Sequence, residues 1–475
     1  MNIFYEKIYI FAKQNRLAIF FIFLIFFAFI YLYFSTQGTY VLHENNQGTY
    51  YNWLAQQFYL GHVGVPYLPG QYVGDFSHYK GVRYLYFGPL PAVIHFIYLK
   101  IVGRIIYGSI LTYIFALLNL LAFWLIIIKI KTTYFQKKSL LPEGILFMSY
   151  AIGPLMFCMG RPFVYEEAII VGSTCVLFSL YFALLAFINE NKIINLLVSS
   201  VFLSFAFLSR ITLVMYGITT CILAVTSTFK KINQHKQKRY KTISIIVFFI
   251  PILIGASAYS IYNYNRFGSI FDTGFNHVSS GIPEEITRFS IGKGTSFKYI
   301  PYNAYEYFIA WPRIGFHPTD NLYNRFVNVI GDFPKLTSSE YTSSVFLKSP
   351  LSLFALYLII LFLMRKIQSK DLRIISASVL LGFIAVTSPL LFLIGNAKRY
   401  TQDFFPALMI LSYIALSFFY NKVASKRHKT LLAIVLILTL IYSFGQNALT
   451  TCMFCHIGKM ERCLNIYNKE FIERS

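Results

Sequence analysis

The chain has 475 residues, 56% of them hydrophobic and only 13% charged, with a mean hydropathy of +0.57. Soluble domains carry about 25% charged residues, and repeated apolar runs near 20 residues instead define a polytopic helical membrane protein. The formal net charge of +23 does not point to nucleic acid, because Lys and Arg lie in short clusters between apolar runs, the pattern that sets membrane topology.

The first run, Leu17 to Phe34, follows Lys7, Lys13 and Arg16. It is long, and aromatic residues stand where a cleavage site would need small ones, so it reads as an uncleaved first helix. Further spans are expected at about 105–128, 141–159, 167–188, 193–209, 211–229, 242–261, 349–364, 374–394, 403–420 and 430–447, about eleven in all.

The stretch at 88–102 is the ambiguous one, because it is apolar yet carries His95 and soon meets Lys100 and Arg104. Charge decides its placement. If 88–102 does not span, the clusters at 129–138, 230–241, 365–373 and 422–429 all fall on the side of the N-terminus. About 22 Lys/Arg then occupy about 62 inner residues, against about 20 in about 200 outer ones. The positive-inside rule therefore makes the N-terminus cytoplasmic and lays 88–102 on the outer surface of a plasma (inner) membrane, with Lys100 and Arg104 snorkelling.

This topology divides the chain into a transmembrane module at 1–261, containing a first outer loop at 36–104, an outer loop region at 262–348, C-terminal helices at 349–447 and an outer tail at 448–475. Nearly all carboxylates away from the chain ends face outward, so an active face is expected there.

The order of these parts resembles the GT-C superfamily of membrane glycosyltransferases, the group of the aminoarabinose transferases and protein O-mannosyltransferases. YYNWLAQQFYLGHVGVP (50–66) is similar to the surface helix after the first span in that superfamily, and DFSHYKGVRYLYFGPLPAVIHF (75–96) to its Pro-containing juxtamembrane helix. RPFVYEEAIIVG (161–172) resembles the turn before its fourth helix. YNYNRFGSIFDTG (262–274) and KRYTQDFFPAL (398–408) resemble segments of a large bacterial branch.

The resemblance implies an all-α, GT-C-like fold and transfer of a sugar from a polyprenyl-phosphate-linked donor to a glycan, lipid or protein acceptor on the outer face of the membrane. It also implies an acidic base before the surface helix, where this chain has Asn46. Glu44 and Asp75 lie in the same loop and could substitute.

Such a transfer needs a carboxylate to take the proton of the attacking hydroxyl, cations for the leaving phosphate, and a dry groove for the lipid. The carboxylates are Asp75 first, then Glu44, with Glu166 or Glu167 orienting the acceptor or a divalent metal. The plain alternatives are a solvated loop charge for Glu44, an N-cap for Asp75 and helix-dipole partners for the Glu pair. The cations are Arg161, Arg266, Lys398 and Arg399, whose alternative is anchoring at the interface. No obligatory cofactor is implied.

CMFCH (452–456) matches the haem c attachment pattern, but a tail of about 28 residues offers no haem pocket. A disulfide among Cys452, Cys455 and Cys463 suits an oxidising compartment better, with zinc on these and His456 a further reading. The rival to an enzyme is a transporter or flippase for lipid-linked glycans. Those usually place polar groups at mid-bilayer, whereas here, apart from Arg210, the later runs are apolar through their centres.

Overall fold

The computed structural model describes residues 16–42, 50–65, 76–135, 140–188, 192–229, 237–279, 295–311, 343–393 and 396–472. In chain order the helices are α1 (Arg16–Thr36), α2 (Tyr50–Tyr59), α3 (Leu90–Val102), α4 (Gly108–Tyr134), α5 (Leu141–Ala151), α6 (Pro154–Met159), α7 (Val164–Phe187), α8 (Lys192–Ser209), α9 (Gly217–Phe229), α10 (Gln237–Phe267), α11 (Ile300–Phe308), α12 (Val345–Lys348), α13 (Phe354–Leu363), α14 (Lys370–Leu391), α15 (Thr401–Lys422) and α16 (Lys426–Ile472).

Among the described residues, ten helices are long and apolar enough to cross a membrane. They coincide with ten of the eleven expected spans. The eleventh, Pro350–Leu363, is helical but shorter.

The 13 residues of α3 rise only about 20 Å, too little for a hydrocarbon core of about 30 Å. Pro89 and Pro91 start the helix, and Gly103 ends it at φ 76°, its N–H donating to the Leu99 carbonyl. Lys100 leaves the apolar stripe to sit 4.4 Å from the centre of the Tyr59 ring on α2. Helices α2 and α3 pack on each other and bury Tyr50, Tyr51, Leu54 and Ala92 in a small core with Phe76, Val164 and Tyr262. The approach to α3 is tight: a Cβ on Gly88 would stand 2.1 Å from the Leu208 carbonyl oxygen at the end of α8.

A three-stranded sheet joins the two long inter-helix regions. Strand β1 (Phe76–Tyr79) pairs antiparallel with β2 (Val82–Tyr84) and with β3 (Val278–Ser279), in the order β2-β1-β3. Ser77 faces both Tyr84 and Val278, and its hydroxyl donates to the Gly274 carbonyl at 2.6 Å.

The main core surrounds α15, which is buried on every side from Thr401 to Ser417. A helix apolar all round is a central helix. It packs against α13 and α14, and α7 packs against α4 and α8. Inside this core the Tyr150 hydroxyl donates to Asn119, whose amide donates to Ser173 at 3.0 Å and Thr174 at 3.1 Å.

At the bundle end where α4 ends and α5 begins, Lys131 and Glu143 form a buried pair at 2.9 Å, and the Tyr413 hydroxyl donates to Glu143 at 2.9 Å. Helix α16 continues through the tail to Ile472, where a separate segment was expected. Cys452 is exposed and free; the side chains of Cys455, His456 and Cys463 lie outside the described residues.

Candidate active site at one end of the bundle

The bundle end opposite Lys131–Glu143 gathers the start of α7, the joint between α8 and α9, the end of α10 and the start of α15. The reason is sequence-local. Gly160 ends α6, Arg161-Pro162 breaks the chain, and Phe163 is extended before α7 begins. On the other side, a 3-10 turn at Lys398–Tyr400 feeds α15. Glu166, Glu167 and Asp403 thus all occupy first helical turns, where the macrodipole favours carboxylates. All three are buried.

Each carboxylate is met by a cation or an imidazole. Arg210 Nε donates to Asp403 Oδ2 at 2.7 Å, with Thr212 Oγ1 donating to the same oxygen at 3.2 Å. An Arg399 nitrogen stands 3.6 Å from Glu166 Oε1. His95 Nε2 lies 2.8 Å from Glu167 Oε1.

The two guanidiniums share one ring. Arg210 stands 4.8 Å and Arg399 5.7 Å from the centre of Tyr400, and Arg399 is 4.0 Å from Tyr165. Both Arg side chains keep partial exposure, 13% and 12%, while their carboxylates stay at 0–1%. The buried acids thus sit against two cations that keep a small exposed fraction.

The Tyr51 hydroxyl is buried and within electrostatic reach of Glu167, Tyr262 and Arg210. Burial, then the Glu167 charge, raises its pKa well above the usual tyrosine range. Tyr51 is therefore a hydrogen-bond donor at any working pH.

The other sequence candidates sit at the same end in different roles. Arg266 is buried, lies 3.9 Å from the Tyr262 ring centre, and donates to the Leu85 carbonyl at 2.6 Å. Its contacts tie α10 to the loop leading into α3. Arg161 stacks on Phe163 at 4.1 Å, and Lys398 on Phe157 at 4.3 Å. Glu44 and Asp75 lie outside the described residues, as does Asn46.

Among the described residues, no group of three or more His, Cys, Asp or Glu could hold a metal ion.

The sequence reading did not select His95, Tyr51, Tyr400 or Asp403, and it noted Arg210 only as an exception. A signal existed for three of them. His95, Arg210 and Asp403 are ionisable residues inside or at the joints of apolar runs, where such groups are costly and default to function.

No family model matches this sequence, and no curated protein sequence matches it. Solved structures do. The oligosaccharyltransferase of Archaeoglobus fulgidus in the apo form aligns over 93% of this chain and 56% of its own length, at 14% identity and a TM-score of 0.53. The same protein with zinc and sulfate aligns over 89% of this chain and 52% of its own, at 14% identity and a TM-score of 0.52. ArnT from Cupriavidus metallidurans bound to undecaprenyl phosphate aligns over 94% of this chain and 77% of its own, at 12% identity and a TM-score of 0.49.

The chain therefore shares the fold of that oligosaccharyltransferase, as the GT-C resemblance of its sequence implied. It spans about half the length of the oligosaccharyltransferase it matches.

Proposed function

We propose that this chain is an integral membrane glycosyltransferase that moves a sugar from a polyprenyl-phosphate carrier to a glycan, lipid or protein acceptor on the outer face of the plasma membrane. The carrying observation is the pair Arg210 and Arg399, set on one Tyr400 ring and each backed by a buried carboxylate. Two like charges held this close are stable only with counter-charge, which the buried acids supply and a phosphate would add to. Arg forks suit phosphate oxygens bidentately. A leaving phosphate gains negative charge in the transition state, so cations fixed in advance lower the barrier rather than merely holding the substrate.

The fold supports the same reading, since the matching archaeal protein is an oligosaccharyltransferase and one of its structures carries a tethered acceptor peptide. Topology supports the side: the site lies at the end opposite the basic turns, which the positive-inside rule assigns to the cytoplasm. Arg161 and Lys398, stacked on Phe163 and Phe157, add positive charge at the same end of the bundle.

The test is liberation of carrier. The purified chain, reconstituted in nanodiscs with lipid-linked sugars extracted from its source membranes, should liberate undecaprenyl phosphate detectable by mass spectrometry. Arg399→Ala should lower the rate on the order of 10²-fold or more. Carrier binding with no liberation, under conditions that keep the chain folded, would favour a flippase instead.

A further inference from the structure

We infer that His95 accepts the proton of the attacking hydroxyl, with Glu167 as the positioning residue that orients its ring. This rests on the glycosyltransferase reading and deepens it by naming the base.

Three buried polar atoms on three different helices have no hydrogen-bond partner among the described residues: His95 Nδ1 on α3, Glu167 Oε2 on α7 and the Tyr51 hydroxyl on α2. Native interiors leave few such atoms, and each one asks for a reason. Here they share a neighbourhood. His95 and Glu167 are hydrogen-bonded at 2.8 Å, and Tyr51 lies within electrostatic reach of Glu167. A hydroxyl-bearing ligand would satisfy two of the three, donating to His95 Nδ1 and accepting from Tyr51.

The pair has a direction. When Glu167 Oε1 accepts the Nε2 proton, the neutral imidazole keeps its lone pair on Nδ1, the nitrogen that has no partner. The adjacent residue completes the layout. Consecutive residues on an α-helix point about 100° apart, so Glu166 turns to Arg399 and the phosphate side while Glu167 turns to His95. The first turn of α7 therefore separates the proton-accepting side from the leaving-group side, as a displacement at one carbon requires.

In the step itself, the acceptor O–H gives its proton to His95 Nδ1 as its oxygen bonds the anomeric carbon. The bond from that carbon to the carrier phosphate oxygen breaks. Its electron pair leaves with the phosphate, whose charge Arg210 and Arg399 meet. The imidazolium, held by Glu167, then returns its proton to water.

The experiment has two readouts. The first is the nitrogen-15 spectrum of the full chain labelled at histidine, in nanodiscs, with the His95 signals identified by their loss in His95→Gln. An unprotonated Nδ1 and a protonated Nε2 are expected. A protonated Nδ1 overturns the proposal, because that nitrogen then cannot accept.

The second readout is turnover of extracted lipid-linked sugars, beside affinity for undecaprenyl phosphate alone. His95→Gln should lower kcat by 10²–10⁴-fold and leave that affinity and the thermal midpoint unchanged. Glu167→Gln should lower kcat less and shift the acid limb of the pH profile. Lost affinity with kcat intact in His95→Gln would make the residue structural and overturn the proposal. If wild type fails to bind undecaprenyl phosphate, the glycosyltransferase reading fails instead, while the tautomer remains readable.

Discussion

Cutting the Arg210–Asp403 pair should give unequal costs from its two ends. Asp403 is fully buried and takes two hydrogen bonds on Oδ2, from Arg210 at 2.7 Å and Thr212 at 3.2 Å. Arg210→Met removes its counter-charge and leaves an unpaired acid in the interior, which costs about 3–5 kcal/mol. Asp403→Asn leaves the cation instead. Arg210 has an exposed edge, so part of its charge is screened, and the loss falls to about 1–3 kcal/mol.

The double variant Arg210→Met/Asp403→Asn removes both charges and should cost no more than Arg210→Met alone, a coupling of about 2 kcal/mol. Denaturation in mixed micelles, followed by tryptophan fluorescence, would measure the cycle. Single variants within about 0.5 kcal/mol of wild type, or costs that simply add, would refute the view of this pair as one electrostatic unit.

Lys348 offers a test by pH, because its burial pushes it down to about 8 against the pull of Glu306. Its folded value lies below its unfolded one. The unfolded chain therefore binds more protons between about pH 8 and 10.5, and stability should rise with pH across that window; Lys348→Met should flatten the rise in a melting series. Gly88→Ala would force its new methyl against the Leu208 carbonyl. It should cost at least about 1–3 kcal/mol and, by moving the residues next to Arg210, weaken binding of undecaprenyl phosphate. At the far end, Lys131→Met should destabilise the fold by about 3–5 kcal/mol without changing that binding, which a parallel melt and titration would show.

The membrane class, the span positions and the short length of the helix at 88–102 were legible because they depend on one-dimensional quantities, namely run length and hydropathy. The three-stranded sheet was not. Its strands are two to four residues long, and β1 and β3 lie about 200 residues apart, so pairing them needs the tertiary structure.

Part of the site was legible for the same reason. Glu166, Glu167 and Arg399 stand out as charges at the edges of apolar runs. Their partners do not, because the Arg210–Asp403 bond spans 193 residues and the His95–Glu167 bond 72. Arg266 was read as a phosphate ligand from its place at a helix end; its guanidinium is occupied by the Leu85 carbonyl and the Tyr262 ring. The stretch after the last span reads in sequence as an outer tail, and α16 continues through it to Ile472.

Affinity for undecaprenyl phosphate tests the central claim most directly. Wild type, Arg210→Ala, Arg399→Ala and the double variant would be titrated with the lipid in nanodiscs, with folding checked by thermal melt. The account predicts binding by wild type, loss of roughly tenfold or more for each single variant and a larger loss for the double. Equal affinity in all four folded proteins would contradict it, because the two arginines would then hold no phosphate.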